Sequence, residues 1–498
     1  MALIDLNIPA GIYRNGTELQ SLGRWRDANL VRWHDGVMRP MGGWRHRAVE
    51  AGTANAANAK LRGMTSWVDN DGDKWIAAGS YNKLYVWNVG NEIFDITPTG
   101  LTAGQEDGGA LSGYGSNRFG IYAYGVARPE TNNIQSATSW HLKQWGENLI
   151  ACNADDGKIY EWSGVTSSPA AQISNAPINN KAVVVTEQRF LVALGAGGNP
   201  RLVQWSDRED NTSWTPLSTN EAGDLELNTT GEIMAGMNVQ SQTLILTSRD
   251  AHVMNYVGPP YVYGIERVGT SCGLAAAQAY AVVDVGAFWM GSNSFFTYQG
   301  GRVQELPSEV SDYVFNDINR DQISKAFAMS NAMFGEIWWC YPSGASNEND
   351  RYVVYNYTEN TWYIGQLART AGTDRGAYRR PTMASASDYK LYEHEVGFDY
   401  DALIPYAESG PFRLGAGDQV MKVTQMIPDE KTQGDVSATF KTRFYPNDTE
   451  RSYGPYTMSN PTSVRFTGRQ VVMRVEGNTL ADWRVGMNQV EAVAGGRR

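Results

Sequence analysis

One local pattern recurs through the middle of this chain and restricts what it can fold into. A polar turn leads into an alternating apolar strand, then a Gly/Asn/Asp turn, then a second strand ending in an aromatic. It is clearest in Lys74-Trp-Ile-Ala-Ala-Gly-Ser-Tyr-Asn-Lys-Leu-Tyr-Val-Trp87 and in Asn148-Leu-Ile-Ala-Cys-Asn-Ala-Asp-Asp-Gly-Lys-Ile-Tyr-Glu-Trp162. Looser copies close at Trp205, Tyr256, Tyr298, Tyr355 and Tyr392. Most steps are roughly 40–50 residues, the length of a propeller blade. A lone hairpin of this size cannot bury its apolar face. Sheets set around an axis can, each packing on the next with aromatics in the wedge between them. The 52 Gly, 16 Trp and 26 Tyr suit many short strands joined by tight turns. The expected fold is all-β, a β-propeller of six or seven blades. A row of β-sandwich domains would also alternate, and the regular spacing favours the propeller.

Three regions follow. Residues 1–60 form an Arg- and Trp-rich N-terminal arm with little periodicity, serving as an interface or completing a blade. Residues 61–405 form the propeller. Its step from Trp87 to Trp162 is too long for one blade, so the Gly/Ala/Ser/Asn-rich stretch 97–139 is read as an inserted loop. Residues 406–498 hold alternating strands at 419–424, 437–444, 463–467 and 470–475, which predict a separate β-sandwich or platform before a basic tail. Helix is nearly absent; residues 308–331 are expected to hold a short one capped by Ser308.

Net charge is −11, and no long Lys/Arg run provides the basic face that a firm grip on nucleic acid needs. An acidic wall can still let DNA pass without sticking. Cys152, Cys272 and Cys340 are too few and too scattered for a disulfide framework or a zinc signature, and read as buried apolar residues. The start, Met1 to Leu6, lacks the regions of a signal peptide, and no apolar run approaches the ~20 residues of a membrane span. Synthesis in the cytoplasm is expected.

No catalytic set emerges. His34, His46, His141, His252 and His394 show no metal-ligand spacing, and no nucleophile elbow, phosphate loop or dinucleotide fingerprint is present. Trp205 to Trp214 is similar to the Asp-box turn of sialidase-type propellers, a structural brace, but lacks its glycine. Asp69 to Asp73 begins like a calcium loop, yet Lys74 stands at the glycine position and Ser80 at the bidentate glutamate position. The chain is read as no enzyme, with no cofactor and no metal.

Several short motifs lie in order along the chain. In the arm they are Gly11-Ile-Tyr-Arg-Asn-Gly-Thr-Glu-Leu-Gln20, Ala28-Asn-Leu-Val-Arg-Trp33 and Arg39-Pro-Met-Gly-Gly-Trp44. Further on come Gly113-Tyr-Gly115, Tyr122-Ala-Tyr-Gly125, Val203-Gln-Trp-Ser-Asp207, Tyr256-Val-Gly-Pro-Pro260 and Arg267-Val-Gly-Thr-Ser-Cys-Gly273. Together they resemble the tail nozzle proteins of short-tailed bacteriophages, also called packaged-DNA stabilisation or tail hub proteins. The resemblance covers residues 11 to about 300 and implies a structural virion protein of the tail, made in the host cytoplasm. It implies a homo-oligomeric ring, a hexamer in the family, seated on the tail adaptor of the portal stack and neighbouring tail fibre or tail tip proteins. The ring would close the DNA channel of the full particle and pass DNA at ejection.

Within the insertion, Tyr114, Arg118, Phe119, Tyr122, Tyr124 and Arg128 are the candidates for a gate or for contact with the adaptor. In the arm, Arg24, Trp25, Arg32, Trp33, Arg39 and Trp44 are the interface candidates, since Trp and Arg concentrate binding energy; alternatively these Trp residues are core. Two other functions stay open: a carbohydrate-binding or sialidase-like propeller, and a receptor-binding tail protein.

Overall fold

The computed structural model describes residues 2–49, 53, 55–113, 128–415, 419–445 and 448–495. Every repeat in the sequence forms the two central strands of a four-stranded antiparallel sheet. In the first sheet, Met64–Val68, Lys74–Gly79, Leu84–Trp87 and Ile93–Asp95 follow one another across the sheet. Five sheets of the same order span residues 140–172, 182–226, 233–270, 280–306 and 327–366. The seventh holds Arg369–Thr373, Thr382–Ser385 and Leu391–His394. Its fourth strand is Trp44–His46 of the arm, with Trp44 opposite His394 and His46 opposite Tyr392. The first strand of each sheet packs on the first strand of the next, and the seventh returns to the first. This is a β-propeller of seven blades.

The blades are held by the aromatics that marked the repeat. Trp162 of the second blade meets Trp67 and Trp75 of the first edge-on, at centroid distances of 6.3 and 5.3 Å. Tyr263 of the fourth blade packs on Phe190 and Trp205 of the third. Phe295 of the fifth lies within 5 Å of Trp339 and Trp362 of the sixth, at 4.8 and 4.9 Å. Such pairs add to the area that they bury. Gly79 has to be glycine for the same close packing, because a Cβ there would stand 2.4 Å from the Trp140 indole.

The C-terminal strands form a two-sheet sandwich that the arm completes. Ala2–Leu6 pairs with Asn488–Ala494, in a sheet with Met421–Ile427 and Thr462–Gly468. Trp25–Asn29 pairs with Tyr406–Ser409, in a sheet with Gln470–Gly477, Val436–Arg443 and Arg451–Thr457. Phe440 and Phe466 stack between the sheets at 4.6 Å. Arm and C-terminal region therefore form one body, and the apolar core runs from it into the propeller without a break. The short helix is Ser311–Asp317, with Val310 at its N-cap. Ser308 sits two residues earlier, where its hydroxyl accepts the Val310 N–H at 3.2 Å.

Candidate functional site

The arm hairpin Val31–His34 and Val37–Pro40 carries Arg32 into the seam between the sixth and seventh blades. Arg32 is 1% exposed; its Nε lies 2.9 Å from Glu336 and its Nη2 lies 2.5 Å from Glu395. Glu336 heads the apolar strand Glu336–Pro342 of the sixth blade, and Glu395 follows the strand Leu391–His394 of the seventh. The guanidinium lies 3.7 Å from the centre of the Phe334 ring. Trp338 Nε1 donates to Glu336 at 3.0 Å, Gly42 N to Glu395 at 2.9 Å, and Asn331 Nδ2 to both carboxylates. Burial pushes the Glu336 carboxyl above the usual range against the pull of Arg32. The network is occupied by its own members and works as a clasp.

The other arm candidates lie around it. Trp25, Trp33 and Trp44 are buried, and Trp44 Nε1 donates to Asp401 at 2.6 Å. Trp25, Arg32, Trp33 and Trp44 are therefore not exposed contact residues, because the arm is threaded between propeller and sandwich and covered from both sides. Arg24 and Arg39 sit at the margin, paired with Glu309 at 2.7 Å and Asp482 at 3.3 Å. Glu336, Glu395, Glu309 and Asp482 were missed from sequence. A carboxylate at the head of the otherwise apolar run Glu336-Ile-Trp-Trp-Cys340 was the available signal.

Tyr114, Arg118, Phe119, Tyr122 and Tyr124 lie outside the described residues. Arg128 begins the return strand of a two-stranded ribbon, Gly109–Gly113 with Arg128–Gln135, between the first and second blades. The root of that ribbon is fastened to the loop before the sixth blade. Gly108 N donates to Gln322 Oε1 at 2.9 Å, and Gln322 Nε2 returns to the Gly108 carbonyl at 2.6 Å. Asp107 pairs with Lys325 at 2.5 Å, and Ala137 N donates to Ser324 at 2.9 Å. Beside the root, a cavity of about 110 Å³ is lined by Ser139, Asp155, Lys181 and Glu232. Pockets for small organic ligands usually run from about 300 Å³.

Side chains cross the propeller axis. Gln278, just before the fifth blade, donates to the Trp140 carbonyl of the second blade at 2.8 Å. Lys143 Nζ and the Tyr280 hydroxyl, also on the second and fifth blades, are 3.4 Å apart. Both contacts join the first strand of the second blade to the start of the fifth, on the opposite side of the ring.

The reactive residue types are held in the framework. Burial pushes the thiols of Cys152 and Cys340 up to about 12, and that of Cys272 to about 11. Burial lowers His141 to about 3, and His394 accepts a hydrogen bond from Arg369 Nε at 3.0 Å. Among the described residues His34, Asp35 and Glu359 are close enough to share an ion. His34 meets Glu359 through Nδ1 and Asp35 through Nε2, so its ring bridges the carboxylates. The Asp207 carboxylate accepts the N–H groups of Arg208 and Glu221, and that of Asp69 accepts those of Asp71 and Asp73; both brace turns.

No family model matches the chain, and no curated protein matches its sequence. Among solved structures it is similar to virginiamycin B lyase from Staphylococcus aureus, with 9% identity, a TM-score of 0.42, and 68% of this chain and 97% of that one covered. It is similar also to the WD40 β-propeller domain of Doa1, with 10% identity, a TM-score of 0.41, and 71% and 96% covered. The WD40 domain of Neurospora crassa Pan2 gives 8% identity, a TM-score of 0.39, and 71% and 94% covered. One of these carries an enzyme's name and two do not. The seven-blade assignment rests on the strand order of the chain itself.

Proposed function

We propose that the chain is a non-enzymatic subunit of a short phage tail, forming the distal nozzle ring that closes the DNA channel and passes DNA at ejection. The observation that carries this reading is the structural task of the arm motif. Its arginine is the Arg32 clasp, and its Gly42 and Gly43 pass so close to the seventh blade that a Cβ would stand 2.4 Å from Glu395 and 2.3 Å from Asp399. The arm motif that carries the resemblance to tail nozzle proteins is spent on joining the arm to the sixth and seventh blades, which supports reading it as part of a structural frame. In such a ring DNA would run between copies, outside the bridged axis of each propeller. A closed ring of copies needs a heterologous interface that completes a rotation.

Electron microscopy of the chain bound to the adaptor of its portal stack tests this. A ring at the distal end of a short tail is expected, with six copies as in the family. A chain that stays monomeric beside the adaptor, or that is found only on the capsid, would overturn it.

A further inference from the structure

Although the chain is acidic, one seam of the propeller gathers cations. Where the seventh blade meets the first, an open groove of about 590 Å³ is lined by Arg45, Arg47, Lys74 and Arg379. The carboxylate among the described lining residues is Glu393, and Arg45 pairs with it at 3.0 Å while remaining 70% exposed. Arg47, Lys74 and Arg379 form no ion pair among the described residues. The cations come from three distant parts of the chain, which is why no Lys/Arg run announced them. Arg45 lies within the closing strand and Arg47 just after it, Lys74 heads the second strand of the first blade, and Arg379 stands in the loop 374–381.

Part of the groove is preorganised. The Arg47 guanidinium lies 4.0 Å from the centre of the Tyr378 ring, and its Nε donates to Asn91 at 2.8 Å. Tyr378 is anchored by its hydroxyl, which donates to the Lys74 carbonyl at 3.1 Å. Lys74 Nζ lies 5.9 Å from the centre of the same ring, and the groove that the four cations line is open to solvent, which suits a chain of phosphates passing along it. Arginine and lysine so placed contact phosphates without reading sequence. Arg47 covers the Tyr378 ring, so that ring is no platform for base stacking. We infer that the seam between the seventh and first blades binds the phosphodiester backbone of nucleic acid, independently of sequence. This goes beyond the ring proposal and does not depend on it.

The test is fluorescence anisotropy of a labelled single-stranded DNA of about 20 nucleotides with the full chain, over about 20–300 mM salt. Binding should weaken with a log–log slope of about −3, four contacts at about 0.7 each. Lys74→Glu with Arg379→Glu should weaken it by about tenfold or more, and Arg302→Glu, far from the seam, should leave it unchanged. If the charge reversals lower the melting temperature, Lys74→Gln with Arg379→Gln replaces them. Absence of salt-dependent binding, or an equal loss in Arg302→Glu, overturns the inference. Displacement by pyrophosphate at matched phosphate concentration also overturns it, in favour of a free-anion site. Self-association that vanishes in the double variant without DNA overturns it in favour of an acidic face of a second copy.

Discussion

Removing the Arg32 guanidinium would leave Glu336 and Glu395 facing each other in a seam with little water. Arg32 is 1% exposed and Glu336 fully buried, so breaking the pair is expected to cost about 3–5 kcal/mol in Arg32→Ala. Glu336→Gln keeps a side-chain oxygen to accept from Trp338 and removes the need to bury a charge there, so it should cost less. Thermal melts of both variants check the order, and an Arg32→Ala melting temperature equal to the parent's would show that the clasp contributes nothing. His141 raises a different issue. Both ring nitrogens lack hydrogen-bond partners among the described residues, and burial first, then Lys143, lowers its pKa to about 3. An unfolded histidine takes its proton near pH 6.5, so between about 6.5 and 3 the unfolded chain binds the extra proton. Stability therefore falls with acidification across that window, by up to about 1.4 kcal/mol per pH unit from this residue. His394, also lowered by burial, acts in the same direction. His141→Leu should flatten the decline in melting temperature below pH 6.5 without lowering it at pH 7.5; an unchanged slope would clear His141 of the effect.

At the level of elements, ring closure depends on the three residues Trp44–His46, which join the first tenth of the sequence to the last blade. Trp44 is 7% exposed and packs on His394 and Tyr400 at 5.6 and 5.8 Å. Trp44→Ala is expected to cost about 3–5 kcal/mol and to loosen the closing strand. Limited proteolysis should then release the arm before the propeller is cut; cleavage in the blades first would contradict this. This strand also shows where sequence was informative and where it was not. All seven central hairpins were legible, because their strands are mostly buried and end in the aromatics that fill the wedges. Outer strands such as Ala171–Gln172 are short and exposed, so nothing in their composition sets them apart. Pairings of Ala2–Leu6 with Asn488–Ala494, or of Trp44–His46 with Leu391–His394, join distant segments that no local period connects. For that reason the arm stayed open between an interface and a blade-completing segment, its Trp residues stayed open between contact and core, and Arg32 read as an interface candidate although it is core.

At the scale of the whole molecule, the axis and the proposed conduit have to be distinguished. The Lys143 and Tyr280 side-chain tips approach to 3.4 Å across the axis, and Gln278 reaches Trp140 at 2.8 Å beside them. These side-chain bonds tie the second blade to the fifth. A nozzle built from such subunits would keep each propeller shut and move whole subunits against one another, as rigid bodies shifting at an interface. That division can be tested by locking the axis. Lys143→Cys with Tyr280→Cys places two thiols across it, and the native Cys152, Cys272 and Cys340 are buried, with thiols that burial holds protonated. A short bis-maleimide should bridge the new pair in the assembled tail, and mass spectrometry of the linked peptides would confirm the bridge. If DNA runs between copies, the cross-linked particles should eject their genomes at the rate of untreated ones. Ejection that is blocked by the cross-link and restored in either single cysteine variant would mean that DNA threads the propeller itself, and the conduit between copies would have to be abandoned.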